Sequence, residues 1–105
     1  MNKDPFTINL LLDMYETLLT DKQQLIMQLH YREDLSLAEI SEELSISRAG
    51  ALDHIRRATK TLYDYEERLH LLQQSEKIKE ILTLLRQHVD EEGASYINKL
   101  EDLLS

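Results

Sequence analysis

The chain has 105 residues, 12 Lys and Arg against 20 Asp and Glu, a net charge of -8 and no cysteine. That length supports one modest core, and two Gly, one Pro and 6% aromatics exclude a turn-rich all-β fold. The missing cysteine excludes disulfides, a Cys-ligated zinc site and thiol catalysis.

An all-α fold is therefore expected. Pro5 suits the first turn of a helix, with Asp4 or Asn2 as its cap. Ile8, Leu11, Leu12, Tyr15 and Leu19 recur at helical spacing and predict a first helix over about 5–19. Thr20-Asp21-Lys22-Gln23 has capping-box form and opens a second helix over about 21–32, with Leu25, Ile26 and Leu29 buried. Ser36-Leu37-Ala38-Glu39 is another capping box, opening a short helix over about 37–44 that buries Leu37, Ile40 and Leu44. Ser45-Ile46-Ser47 breaks the pattern, with Ile46 expected to plug the turn into the core and Ser47 to cap the next helix.

The fourth helix is the long one. Leu52, Ile55, Ala58, Leu62, Tyr65, Leu69 and Leu72 share a face, and no Gly or Pro intervenes from Ala51 to Gln74. A helix from Arg48 to about Gln73 is expected, with a new start at Ser75 or no break at all. Ile78, Ile81, Leu82, Leu85 and Val89 predict a fifth helix, which Gly93 stops or kinks. Tyr96, Ile97, Leu100, Leu103 and Leu104 predict a sixth. Residues 1–62 read as one helical unit and 63–105 as a C-terminal helical extension, with a single compact domain as the alternative.

The third and fourth helices with their short turn have the pattern of a helix-turn-helix. Ser47 caps the motif's second helix and leaves its free amides to suit a phosphate, and Arg48, Ala49, Gly50, Asp53 and His54 occupy the face that would enter a major groove. Arg56, Arg57 and Lys60 lie farther along, suited to phosphate contacts. Residues 36–60 hold four basic and four acidic residues, the least acidic stretch of an acidic chain. A competing reading makes the same basic residues a solvated face, with Asp53, Arg57 and Lys60 in weak ion pairs.

The segment from Ser36 to Leu62 resembles region four of bacterial sigma factors. More closely, the chain resembles the YlxM family of small helix-turn-helix proteins. Leu18-Leu19-Thr20-Asp21-Lys22-Gln23, Leu35-Ser36-Leu37-Ala38-Glu39-Ile40, Ile46-Ser47-Arg48 and Asp64-Tyr65-Glu66 carry the likeness, over about residues 6–72. That family is linked to the signal recognition particle, because its genes lie beside those for the particle GTPase Ffh and its receptor FtsY. The resemblance implies a non-enzymatic accessory or regulator of co-translational targeting that binds DNA or RNA. The alternative is a protein–protein module docking on a basic partner such as that GTPase. Ala49-Gly50-Ala51 departs from the sigma pattern, which places long polar residues there. No Arg, Asn or Gln at that point can pair bidentately with a base, so backbone contact suits the helix better than base reading.

Nothing else in the chain suggests chemistry. His30, His54, His70 and His88 are widely spaced and read as exposed helix residues, and no metal or cofactor is expected. Carboxylate runs such as Glu42-Glu43 and Asp90-Glu91-Glu92 read as solvated faces. The five tyrosines read as core-edge residues. No apolar run approaches the roughly 20 residues of a membrane span, and the N-terminus lacks a signal-peptide pattern, so a cytoplasmic location is expected. The C-terminal stripes carry more leucine than a small monomer core can use. A homodimer is expected, with Leu69, Leu72, Leu84 and Leu103 in its interface.

Overall fold

The structure, a computed structural model, describes residues 4–104. These residues form six α-helices and no strand, divided into two compact units between Leu69 and His70. None of the helices is long and apolar enough to cross a membrane.

The first unit starts with α1, Pro5–Tyr15, capped by Asp4, whose carboxylate accepts the Thr7 amide at 2.8 Å. Asn2, the other expected cap, lies outside the described residues. The α-helix ends at Tyr15 rather than near Leu19, and a 3-10 turn follows at Glu16–Leu18. The reason is the next cap: Leu19 and Thr20 must be extended for Thr20 to close the capping box of α2, Asp21–Tyr31. Ile8, Leu11, Leu12, Tyr15 and Leu19 are all buried, as their spacing predicts.

In α2 the expected stripe is partly wrong. Ile26 and Leu29 are buried, but Leu25 is 43% exposed and Met27 is buried in its place. α2 packs on α4, α3 and α1, and the side they cover runs from Leu29 through Ile26 to Met27, which leaves Leu25 at its exposed edge.

The short helix α3, Leu37–Leu44, has both bonds of its Ser36–Glu39 capping box. It ends on Ser45, held left-handed at φ 56°. Of its apolar residues only Ile40 is fully buried, while Leu37 and Leu44 are half-buried. The expected plug, Ile46, is also only half-buried. Backbone bonding, more than side-chain burial, holds this turn. The Ile46 amide donates to the Ser41 carbonyl at 3.1 Å, and the Ser41 hydroxyl donates to the Ile46 carbonyl.

The longest helix, α4, runs Arg48–Leu69 and packs on α1, α2 and α3. Ala51, Ile55, Ala58, Thr59 and Leu62 form its buried side, and the two alanines let neighbouring helices approach closely. Tyr15 is not a core-edge residue: it is fully buried, stacks on Tyr65 at 5.9 Å and donates its hydroxyl to Glu66 at 2.6 Å. Arg32 joins the end of α2 to α1 through Asp13 and Glu16, both at 2.8 Å.

α4 stops at Leu69, short of the expected Gln73, because His70 adopts a left-handed conformation at φ 54°. The apolar spacing Leu62-Tyr65-Leu69-Leu72 runs straight through the break, so periodicity cannot reveal it.

The second unit is a helical hairpin. α5, Leu71–Leu85, begins at once after His70 rather than at Ser75 and ends in a 3-10 turn at Arg86–His88. After Val89, which is extended, α6 covers Glu91–Leu104. Gly93 neither stops nor kinks the fifth helix; it sits in the first turn of α6, where its amide donates to the Asp90 carboxylate at 2.9 Å. A Cβ there would lie 2.6 Å from that of Val89, so glycine permits the tight turn between the two helices. Leu82 and Ile97 form the buried seam, and Arg86 pairs with Glu101 across the hairpin. Of the rest of the expected stripes, Ile78, Ile81 and Leu85 in α5 and Tyr96, Leu100 and Leu103 in α6 are exposed, while Val89 and Leu104 are half-buried. Two helices can bury only the seam between them.

Candidate nucleic-acid interface

Ser47 caps α4, with its hydroxyl accepting the Gly50 amide at 2.9 Å. The Ala51 amide is taken by the Ser47 carbonyl at 2.9 Å. The Arg48 and Ala49 amides, at the first turn, have no intrahelical acceptor, as at any helix start, and they carry the positive end of the dipole. Arg48, exposed, stands beside them.

From there the basic residues follow a pattern. Arg48, Leu52, Arg56 and Lys60 are each four apart, so they form one gently turning row along α4. No carboxylate pairs with Arg48 or Arg56 among the described residues, and both are exposed. Arg57 and Lys60, by contrast, are paired. Arg57 pairs with Asp53 at 3.0 Å and Lys60 with Asp64 at 2.8 Å, both in i,i+4 geometry. Asp53, Arg57, Lys60 and Asp64 thus form a self-neutralised ridge down the exposed side of the helix. The ion pairs are solvent-screened and weak, of order 0.3–0.5 kcal/mol each.

Arg48, Arg56 and Lys60 lie along one row of α4, and only Arg48 stands beside the Ser47 cap. The structure places Gly50 and His54, also four apart and both half-buried, on the other side of that ridge. Arg56 and His54 are about 160° apart around the axis, so only a groove that wraps the helix reaches both. Gly50 leaves the cap with its hydroxyl close by: a Cβ there would stand 3.0 Å from the Ser47 oxygen.

Two features of the site were not legible in the sequence. Ser41 latches the turn through both its hydroxyl and its carbonyl. The Ser45-Ile46-Ser47 interruption pointed to a turn, but nothing in it pointed back to Ser41. A half-open groove of about 230 Å³ also lies beside the basic row, lined by Ile8, Tyr31, Leu37, Leu52, Ile55 and Arg56 among others. Burial raises the Tyr31 hydroxyl's pKa, opposed by a hydrogen bond with Thr59. The groove exists only because four helices meet there.

Of the residues expected at a dimer interface, Leu69 ends α4 in the first unit and is exposed, and Leu72 is half-buried. Leu84 and Leu103 are exposed on α5 and α6. Among the described residues no group of three His, Asp or Glu side chains is placed to hold a metal ion.

Comparison with known proteins gives a consistent family. Residues 2–103 match the family model UPF0122, described as "putative helix-turn-helix protein, YlxM / p13 like". The UPF0122 protein BH2485 of Halalkalibacterium halodurans is 46% identical over 88 residues, covering 84% of this chain and 81% of that protein. A UPF0122 protein of Bacillus cereus strain AH187 is 40% identical over 102 residues, covering 91% and 93%. A relative in Bacillus thuringiensis subsp. konkukian has the same identity and coverage. With a helix-turn-helix in the fold and the family match running almost end to end, the chain belongs to the UPF0122 family of YlxM/p13-like helix-turn-helix proteins.

Proposed function

We propose that the protein is a non-enzymatic, nucleic-acid-binding regulator that works as a homodimer in the cytoplasm and contacts the DNA or RNA backbone through α4. The observation that carries this reading is the row of Arg48 and Arg56, exposed and without carboxylate partners, running on to Lys60 beside the Ser47-capped helix start. Cations already paired to carboxylates offer less to a phosphate, so Arg48 and Arg56 dominate, and Arg57 and Lys60 contribute less. The helix start adds two outward amides and a favourable dipole. Ala49 and Gly50 offer no base-pairing side chains, which supports backbone over sequence recognition. The link to the signal recognition particle is supported by the family resemblance.

A salt titration tests the reading. Fluorescence anisotropy on a labelled duplex should show log affinity falling linearly with log salt. Arg48→Ala combined with Arg56→Ala should reduce that slope by about 1.8, since each lost phosphate contact on duplex DNA is worth about 0.9. An unchanged slope and affinity in the double variant removes α4 from the binding face.

A second reading, docking on a basic protein such as the particle GTPase, is favoured by the net charge of -8. Co-purification separates the two: particle RNA or DNA with the protein supports the first, and the GTPase without nucleic acid supports the second.

A further inference from the structure

The second unit is poor in buried surface. Leu82 and Ile97 are its only fully buried large apolar side chains among the described residues. Helical pieces below about 40 residues generally need a metal, a disulfide or a partner to be stable. Six other large side chains of the hairpin, Ile78, Ile81, Leu85, Tyr96, Leu100 and Leu103, are between 42% and 82% exposed.

These six are not scattered. Arg86 follows the seam residue Leu82 by four positions, and Glu101 follows Ile97 by four; the two charged side chains meet and so mark one flank of the hairpin. At about 100° per residue, Ile78, Ile81 and Leu85 lie on the opposite flank of Leu82. Tyr96, Leu100 and Leu103 lie on the same opposite flank of Ile97. The six therefore share one side, away from the ion pair. Leu84 points elsewhere, nearly opposite the seam.

We infer that this side is where a second copy of the chain docks, closing two hairpins into a four-helix bundle. The inference names the surface for the homodimer proposed above and rests on that reading. Three observations select a second copy as the occupant. The six positions are uncharged, so the face is self-complementary under a two-fold axis and needs no oppositely charged partner. Their 3-4 and 4-3 spacings, Ile78-Ile81-Leu85 and Tyr96-Leu100-Leu103, suit the inward positions of a bundle. Their exposed surface amounts to roughly 600–700 Å² per copy, close to the ~800 Å² per partner of a standard stable interface.

Sedimentation of the full chain, with Ile81→Glu and Leu100→Glu as variants, tests this. The wild type should be a dimer at micromolar concentration. Each variant should weaken dimerisation at least ~100-fold, because a carboxylate is buried without a partner at every copy of the site, while helicity is kept, since both positions face solvent in the single chain. A wild type that stays monomeric up to ~100 µM, far above a micromolar dissociation constant, overturns both the dimer and its surface. A dimer that persists in both variants leaves the dimer standing and overturns the surface. Should a variant misfold, the cysteine-free chain allows a second measurement. Single Ile81→Cys, Leu100→Cys and Leu84→Cys variants are compared for maleimide reactivity at high and low protein concentration. Protection at 81 and 100 but not at 84, appearing only at high concentration, is the expected result; equal reactivity at all three overturns the surface.

Discussion

Ile40 and Ile46 flank the helix-turn-helix turn and are the same residue type, so truncating each to Ala removes the same three carbons. The difference is burial. Ile40 has none of its surface exposed, and Ile46 is half-buried. At about 0.8 kcal/mol per buried carbon, the transfer cost at Ile40 is ~2.4 kcal/mol, and the cavity left between α3 and α4 raises it to about 3–4 kcal/mol. At Ile46 part of the side chain already meets water and the site opens to solvent, so the cost should be about 1–1.5 kcal/mol. Urea unfolding followed by tyrosine fluorescence reads this out, because four of the five tyrosines lie in the first unit. With a slope near 1 kcal/mol/M for a unit of this size, the two midpoints should differ by about 2 M. Where Ile40→Ala is too unstable to measure, Ile40→Val should still cost more than Ile46→Val. An Ile46 variant that loses as much as its Ile40 counterpart, or more, would refute the argument and make Ile46 the plug after all.

Three other substitutions and conditions follow from single observations. The Tyr63 hydroxyl is buried without a hydrogen-bond partner, and burial raises its pKa; Tyr63→Phe should therefore leave stability unchanged or raise it by up to ~1 kcal/mol, whereas Tyr15→Phe should lower it by ~1–2 kcal/mol through loss of the bond to Glu66, both read from urea midpoints. Ser45→Gly should stabilise the first unit by roughly 1 kcal/mol, since a left-handed residue with a side chain carries about that cost; a lower melting temperature would count against it. The Asp4 and Glu39 carboxyls are held below their ordinary pKa values, chiefly by hydrogen bonds from the Thr7 and Ser36 backbones. A depressed folded pKa adds stability that is fully present above the ordinary carboxylate range and is lost as pH falls through and below it. Acid titration of stability should thus be flatter in Asp4→Asn and Glu39→Gln than in the wild type.

The local chemistry of the chain was readable residue by residue. Thr20-Asp21-Lys22-Gln23 and Ser36-Leu37-Ala38-Glu39 each place an acceptor and a donor at the one spacing that closes a capping box, so the starts of α2 and α3 needed no tertiary information. Ser47 as the cap of α4 followed in the same way, and with it the helix-turn-helix and the basic run from Arg48 to Lys60. Tertiary structure decided what periodicity leaves open. An apolar stripe states that a face can be buried and says nothing about whether a neighbour covers it. Leu25 was left exposed and Met27 buried because the covered side of α2 runs from Leu29 through Ile26 to Met27. The break at His70 left no mark in the pattern, because a single left-handed residue leaves the 3–4 apolar spacing intact. Ion pairing divided the basic residues into Arg48 and Arg56, without a carboxylate partner among the described residues, and Arg57 and Lys60, held by carboxylates one turn away. In α5 and α6 the leucine-rich pattern buried Leu82 and Ile97 in the seam between the two helices and left Ile78, Ile81, Leu85, Tyr96, Leu100 and Leu103 facing water.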